Sequence, residues 1–243
     1  GTARSMRPPS SRKASDVAEW RVGRGWSEQE LERRIAALRD VPRNFDPEEP
    51  KTPENGWSRH GSETVVAREP AGPPRPGGAF ERGRVAVARY EFSDPRIVEA
   101  HFDPDVPLAE RRMLLELKPL VLHFLAGAVI GQVRDRRTEA ETVFGFRYDT
   151  LVGHVESGWE WFLLTKSHAT GEIRFRIEAD WRPGDFPNWW SRVGFAALGI
   201  HYQRRWTRRA HARLRSLLEE HRPVPRPDRN LLHEGPRTVQ GSP

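Results

Sequence analysis

The stretch VFGFRYDTLVGHVESGWEWFLLTKSHATGEIRFRIEADWRP, residues 143–183, decides the fold. Near its end Ile173, Phe175, Ile177, Ala179 and Trp181 alternate with Arg174, Arg176, Glu178 and Asp180. Such period-2 alternation marks a strand with one buried face and one solvated face. The apolar run 158–165 predicts its hairpin partner, and the connection SHATG (167–171) supplies the glycine that a short turn needs. Residues 143–148 and 128–133 predict two more strands, joined by the charged turn RDRRTEAE (134–141). Further upstream, the apolar runs 113–117 and 121–125 flank Pro119. Proline cannot donate to a ladder, so they read as one strand with a break or an edge at that point.

The flanks read differently. Ser27 followed by Glu30 is a capping-box pattern, and Leu31, Ile35 and Leu38 continue it as one apolar stripe, so the spacing predicts a helix over about 28–39. Residues 41–56 and 67–79 are dense in Pro and Gly, which excludes helix and central strand there; the span 41–79 is expected to be an irregular strap. A short helix is expected over 80–90. Asn188 after Pro187 is an N-cap candidate for one broken helix, or two in series, over 189–220, with Gly194 and Gly199 as weak points. Residues 1–16 and 221–243 are polar and without periodicity and read as flexible tails around a single domain over 17–220. Sequential hairpins followed by a helix give the α+β class: a curved antiparallel sheet packed against a long C-terminal helix in two layers. That arrangement often encloses an apolar cavity able to take a small molecule.

Composition narrows the chemistry. The 243 residues include no cysteine, which excludes disulfides, zinc–thiolate sites and cysteine nucleophiles and fits a reducing cytoplasm. No apolar run approaches the roughly 18 residues of a membrane-spanning helix, and no secretory signal is visible at the N-terminus. A dinucleotide fingerprint, a P-loop, HExxH and GxSxG are all missing, so no cofactor is expected. The formal charge of +6 favours anionic partners, although arginine-rich coding accounts for such a balance equally well.

The segment 148–158 carries the most chemistry. Gly153 and Gly158 permit backbone angles closed to other residues. His154 and Glu156 stand two apart, so on extended chain they point to one side. A carboxylate beside an imidazole makes a general acid–base pair, with His154 as base and Glu156 as orienting partner. The same residues equally serve as ligand anchors, or simply satisfy backbone groups in a tight connection. Two ligands are too few for a metal, and none is expected.

This region resembles the bacterial and plant family labelled domain of unknown function 1990. The family's signature falls on Tyr148, Thr150, Leu151, Gly153, His154, Glu156, Gly158 and Glu160, with further similarity at 23–31, 78–84 and 202–214. Asp149, Val152 and Trp159 depart from the family's common Gly, Pro and Glu and mark a distinct branch. The resemblance implies a fold and a site, and no established activity. Fold analogy also relates it to the helix-grip, Bet v 1-like cavity proteins.

Three functions are therefore expected in turn. The first is a module binding an apolar or amphipathic small molecule, with Tyr148, Thr150, His154, Glu156 and Glu160 at its polar end and Trp161, Phe175 and Trp190 as walls. The second is a cofactor-independent cyclase, dehydratase or hydrolase using His154 and Glu156. The third is a peripheral binder of nucleic acid or anionic membrane through Arg204, Arg205, Arg208 and Arg215, which lie in a run of six arginines and no acid over 204–215. The bland alternative for that run is a solvated helix face.

Overall fold

In the computed structural model the alternating stretch becomes the centre of one eight-stranded antiparallel sheet. The structure describes residues 19–119, 121–184 and 189–219, with the side chains of the last helix described from Gln203 on. The expected tails and the Asn188 cap lie outside the described residues. The strands are β1 (Trp20–Val22), β2 (Ser58–Arg68), β3 (Val98–Phe102), β4 (Arg112–Leu117), β5 (Leu122–Arg137), β6 (Glu141–Thr150), β7 (Glu156–Ser167) and β8 (Glu172–Pro183). Their spatial order is β2-β8-β7-β6-β5-β4-β3. β1 pairs with Leu122–Phe124 at the start of β5, before β6 joins at Ala128. Register shifts in β5 at Ile130/Gln132 and in β2 at Val65/Ala67 add local bends to the curved sheet.

Helix α1 (Glu28–Ala37) starts as expected. The Ser27 hydroxyl accepts the Glu30 N–H, and the Glu30 carboxylate accepts the Ser27 N–H at 2.8 Å. It lies on the convex face, where Leu38, Val41, Leu114, Leu125 and Leu151 are buried together. On the concave face α2 (Ala79–Ala88) and α3 (Trp189–Glu219) cover the main core. Phe162 is its hub, with ring centroids of Tyr90, Phe92, Phe146, Tyr148 and Trp206 within 4.8 to 6.2 Å. The expected break in the last helix is absent: α3 runs through Gly194 and Gly199 as one helix.

Three expectations need correction. The span 41–79 is not irregular throughout: its middle forms β2, eleven residues long, paired with β8. The two runs around Pro119 are not one interrupted strand but two neighbours, β4 and β5, paired with each other. β5 also absorbs the run 128–133 and the first half of the charged turn, because Arg134–Arg137 pair with residues 142–145 of β6. The remaining strap is tied down by a buried ion pair. Lys166 on β7 is fully buried, and its Nζ donates to Glu69 Oε2 at 2.5 Å and to the Pro73 carbonyl at 3.0 Å. Glu69 also accepts the Phe80 N–H at 2.8 Å, which joins the strap to the start of α2. Gly171 (φ 71°) lets the strap cross the β7–β8 turn; a Cβ there would stand 1.8 Å from the Glu69 carbonyl oxygen.

Candidate functional site

Tyr148 and Glu160 are direct cross-strand partners on the concave faces of β6 and β7. Facing pairs of this kind put side chains in reach of each other, and the Tyr148 hydroxyl donates to Glu160 Oε2 at 2.7 Å. Glu156, four residues before Glu160 on β7, shares that face. The strand-to-strand connection at 151–155 then returns His154 toward the same end. Here His154 and Glu156 meet differently from the expected dyad. His154 Nδ1 lies 3.0 Å from the Glu156 main-chain nitrogen and 3.1 Å from the Glu156 carbonyl oxygen, so the contact is with backbone and not with the carboxyl. Which of the two it engages sets the tautomer: an acceptor Nδ1 leaves the ring proton on Nε2, and a donor Nδ1 leaves Nε2 as an acceptor. That Nε2 is buried and has no hydrogen-bond partner among the described residues.

These four side chains form the polar end of a cavity of about 80 Å³ between the sheet and α3. Its apolar walls are Tyr90, Val98, Leu115, Leu117 and Trp206, with Gln203 at the α3 side. Trp206 is fixed by an indole N–H bond to Ser93 Oγ at 2.9 Å. Tyr90 sits at φ 60°, the one non-glycine residue described with positive φ. Left-handed backbone is costly for a bulky residue and tends to persist where surrounding structure imposes it, often at functional sites. A smaller hollow of about 20 Å³ adjoins it, sharing Tyr148, Glu156, Glu160 and Gln203 and reaching Thr150.

Burial sets the protonation states. It raises Glu160 to about 8; the Tyr148 hydrogen bond opposes this and the neighbouring Glu156 charge adds to it. Burial alone raises Glu156 to about 7. It lowers His154 to about 4, so the imidazole is neutral at physiological pH. Burial foremost, with the Glu160 charge, holds the Tyr148 phenol protonated.

The other expected site residues divide. The Thr150 hydroxyl accepts the Gly158 N–H at 2.8 Å and lies 2.6 Å from Asn44 Oδ1. Asn44 also donates to the Glu156 carbonyl at 2.8 Å, so this strap residue, which the sequence reading missed, staples the connection shut. Gly158 is required here because a Cβ would meet the Asp180 carbonyl oxygen at 2.1 Å. Trp161 is not a cavity wall: it packs with Val143 and Leu163 on the convex face, under the Arg134 guanidinium. Phe175 is on the concave face but wholly buried in the core, against Phe92 and His211, and does not reach the cavity. The Trp190 side chain lies outside the described residues. Arg204, Arg205 and Arg208 are exposed on α3, while Arg215 donates to the Val65 carbonyl at 2.9 Å. Arg209 and Arg213, from the same run, are engaged with Asp94 and the Glu91 carbonyl.

Among the described residues one cluster has metal-ligand character. Glu99, His101 and Glu116 bring one ligand atom each within 4.8 Å. Lys118 Nζ already stands 2.5 Å from Glu99 and 3.4 Å from Glu116, and His123 bonds the second Glu116 oxygen at 2.7 Å, so the group is a closed ion-pair network. No helix among the described residues is long and apolar enough to cross a membrane.

A family model described as Domain of unknown function (DUF1990) matches residues 40–213. The chain belongs to that family. The match begins after α1 and takes in the strap, the cavity and most of the described part of α3, so every polar residue of the cavity in this DUF1990 chain lies inside it. No curated protein matches the chain. Several solved structures are similar to it. Ara h 8.0201 is 11% identical, with 67% of this chain and 98% of that one covered and a TM-score of 0.36. Norcoclaurine synthase from Thalictrum flavum, in complex with dopamine and hydroxybenzaldehyde, is 6% identical over 91% and 99%, with a TM-score of 0.37. Major latex-like protein 151 from Panax ginseng is 9% identical over 65% and 97%, with a TM-score of 0.34.

Proposed function

We propose that this protein binds a small amphipathic molecule in the cavity between the sheet and α3. The observation that carries the reading is His154 Nε2, buried, unpartnered among the described residues and lining a cavity with apolar walls. An unmade hydrogen bond at a buried polar atom costs about 1–3 kcal/mol, and a complementary ligand atom would recover it. Thr150, Asn44 and Gly158 support the reading by fixing the connection that carries His154. Trp206 and Tyr90 supply the apolar contact.

His154→Asn is the discriminating variant. An asparagine amide stands in for Nδ1 beside the Glu156 main chain and removes Nε2. Native mass spectrometry, followed by organic extraction, should find a small molecule on the parent and at least tenfold less on the variant. A parent that carries nothing, and whose Trp206 indole N–H resonance does not respond to a panel of small amphiphiles, would sink the proposal.

A second reading has one specific observation in its favour. Glu156 and Glu160 titrate near neutrality inside a cavity, which is where a general acid or base works best. In a cofactor-independent enzyme of this architecture the proton carrier would be a carboxyl, with Glu156 nearest the His154 connection. The neutral His154 would hold a polar atom of the substrate at Nε2 and would not act as the base. Turnover by that route would be lost in Glu156→Gln and only reduced in His154→Asn.

A further inference from the structure

The described lining of the cavity contains two carboxyl groups, Glu156 and Glu160, and neither lysine nor arginine. Elsewhere in this chain buried carboxylates are matched by cations: Asp149 by Arg43 and Arg147, Asp180 by Arg59, Asp94 by Arg96 and Arg209, and Glu69 by Lys166. Glu160 instead has a phenol hydroxyl as its partner, and the Glu156 carboxyl has no hydrogen-bond donor among those described. Glu160 is buried and Glu156 half-buried; carboxyls shielded from water without a counter-cation are expensive to ionise, and an ion pair is the usual compensation. The cavity walls offer aromatic faces at Tyr90 and Trp206, which also attract cations.

We propose that the cavity selects a small organic ammonium, a primary or secondary amine carrying an apolar group, with the ammonium between Glu156 and Glu160 and the apolar part against Val98, Leu115 and Leu117. This rests on the binding role proposed above and names its ligand class. The amine supplies the cation that the described residues do not. A polar atom on the same molecule would answer the unpartnered His154 Nε2. The volume, about 80 Å³, holds a short branched alkyl group and not a sterol or a fatty chain. One proton leaves to solvent as the ammonium enters, so a single negative charge held between the two carboxyls balances it and no other partner is needed.

The test compares isobutylamine, isobutanol and isobutyrate, which share a carbon skeleton and differ in charge, by titration of the parent's Trp206 indole N–H resonance at pH 7.5. Isobutylamine should bind at least tenfold more tightly than isobutanol, and isobutyrate should be weakest. In Glu156→Gln/Glu160→Gln the advantage of the amine should disappear while isobutanol still binds. Isobutanol binding as well as isobutylamine to the parent would overturn the ammonium assignment and leave the binding cavity standing. Failure of all three to bind would overturn both. Because the charge comparison is made on the parent, it stands even where the double variant does not fold.

Discussion

Lys166→Met should cost about 3–5 kcal/mol of folding stability, because it strands a buried carboxylate. Lys166 is fully buried and Glu69 nearly so, and their contact is 2.5 Å. Methionine keeps most of the apolar stem but leaves Glu69 with only main-chain donors, from Phe80 and at 3.3 Å from Arg75. Burial works to raise the Glu69 pKa, yet the Lys166 bond and these N–H groups hold it below its ordinary value. A lowered carboxyl contributes stability that is present above its unfolded pKa and is lost as pH falls through the folded value. The deficit of the variant should therefore be largest at neutral pH and shrink in acid, where protonation removes the stranded charge. Glu69→Gln in the Lys166→Met background should recover much of the loss, a coupling that a double-mutant cycle reads directly. Hydrogen exchange at the Phe80 amide should accelerate in the single variant. An unfolding midpoint unchanged by Lys166→Met would show that the strap is not held this way.

The elements that could be read in advance are those whose periodicity is imposed by one buried face. β8 alternates because the main core lies on one side of it and solvent on the other, and Ile173, Phe175 and Ile177 are fully buried as that pattern requires. α1 was legible because its cap is local chemistry between Ser27 and Glu30. β2 was not: SRHGSET carries no apolar alternation, since its outer edge is unpaired and its polar side chains find partners such as Asp180 and His211 across the fold. β3 is five residues long and shares that problem.

At the site, the signature residues Tyr148, His154, Glu156 and Glu160 do converge, because a hairpin with Tyr148 opposite Glu160 leaves little freedom. The atoms that meet were not legible. Whether His154 bonds the Glu156 carboxyl or its main chain depends on the turn between β6 and β7, which spacing does not specify. The misplacement of Trp161 was avoidable in principle: Glu160 and Trp161 are consecutive on one strand and must face opposite sides. Tyr90 gave no signal, because a left-handed tyrosine is imposed by its tertiary setting and not by local preference.

Glu160→Gln should make the protein more stable at pH 8, by on the order of 4 kcal/mol, with little of that advantage left at pH 4.5. The sign follows from the titration. Glu160 moves from an ordinary 4.5 to about 8 on folding, mainly through burial. Between those values the native state binds the proton that the unfolded chain releases, so the parent loses stability as pH rises. Glutamine cannot ionise, and its amide oxygen still accepts from the Tyr148 hydroxyl, so the variant escapes the penalty and keeps the contact. His154 shifts the opposite way, from 6.5 to about 4, and adds stability as pH rises over that interval. That contribution is common to both proteins and cancels in their difference. Denaturant unfolding of parent and variant at pH 4.5 and pH 8 measures the effect, and a variant less stable than its parent at pH 8 would contradict it. A carboxyl retained at such a cost, where glutamine would fold better, is what an ion-binding cavity requires: its charge is wanted when the ligand is present, and its penalty is borne only when the cavity is empty.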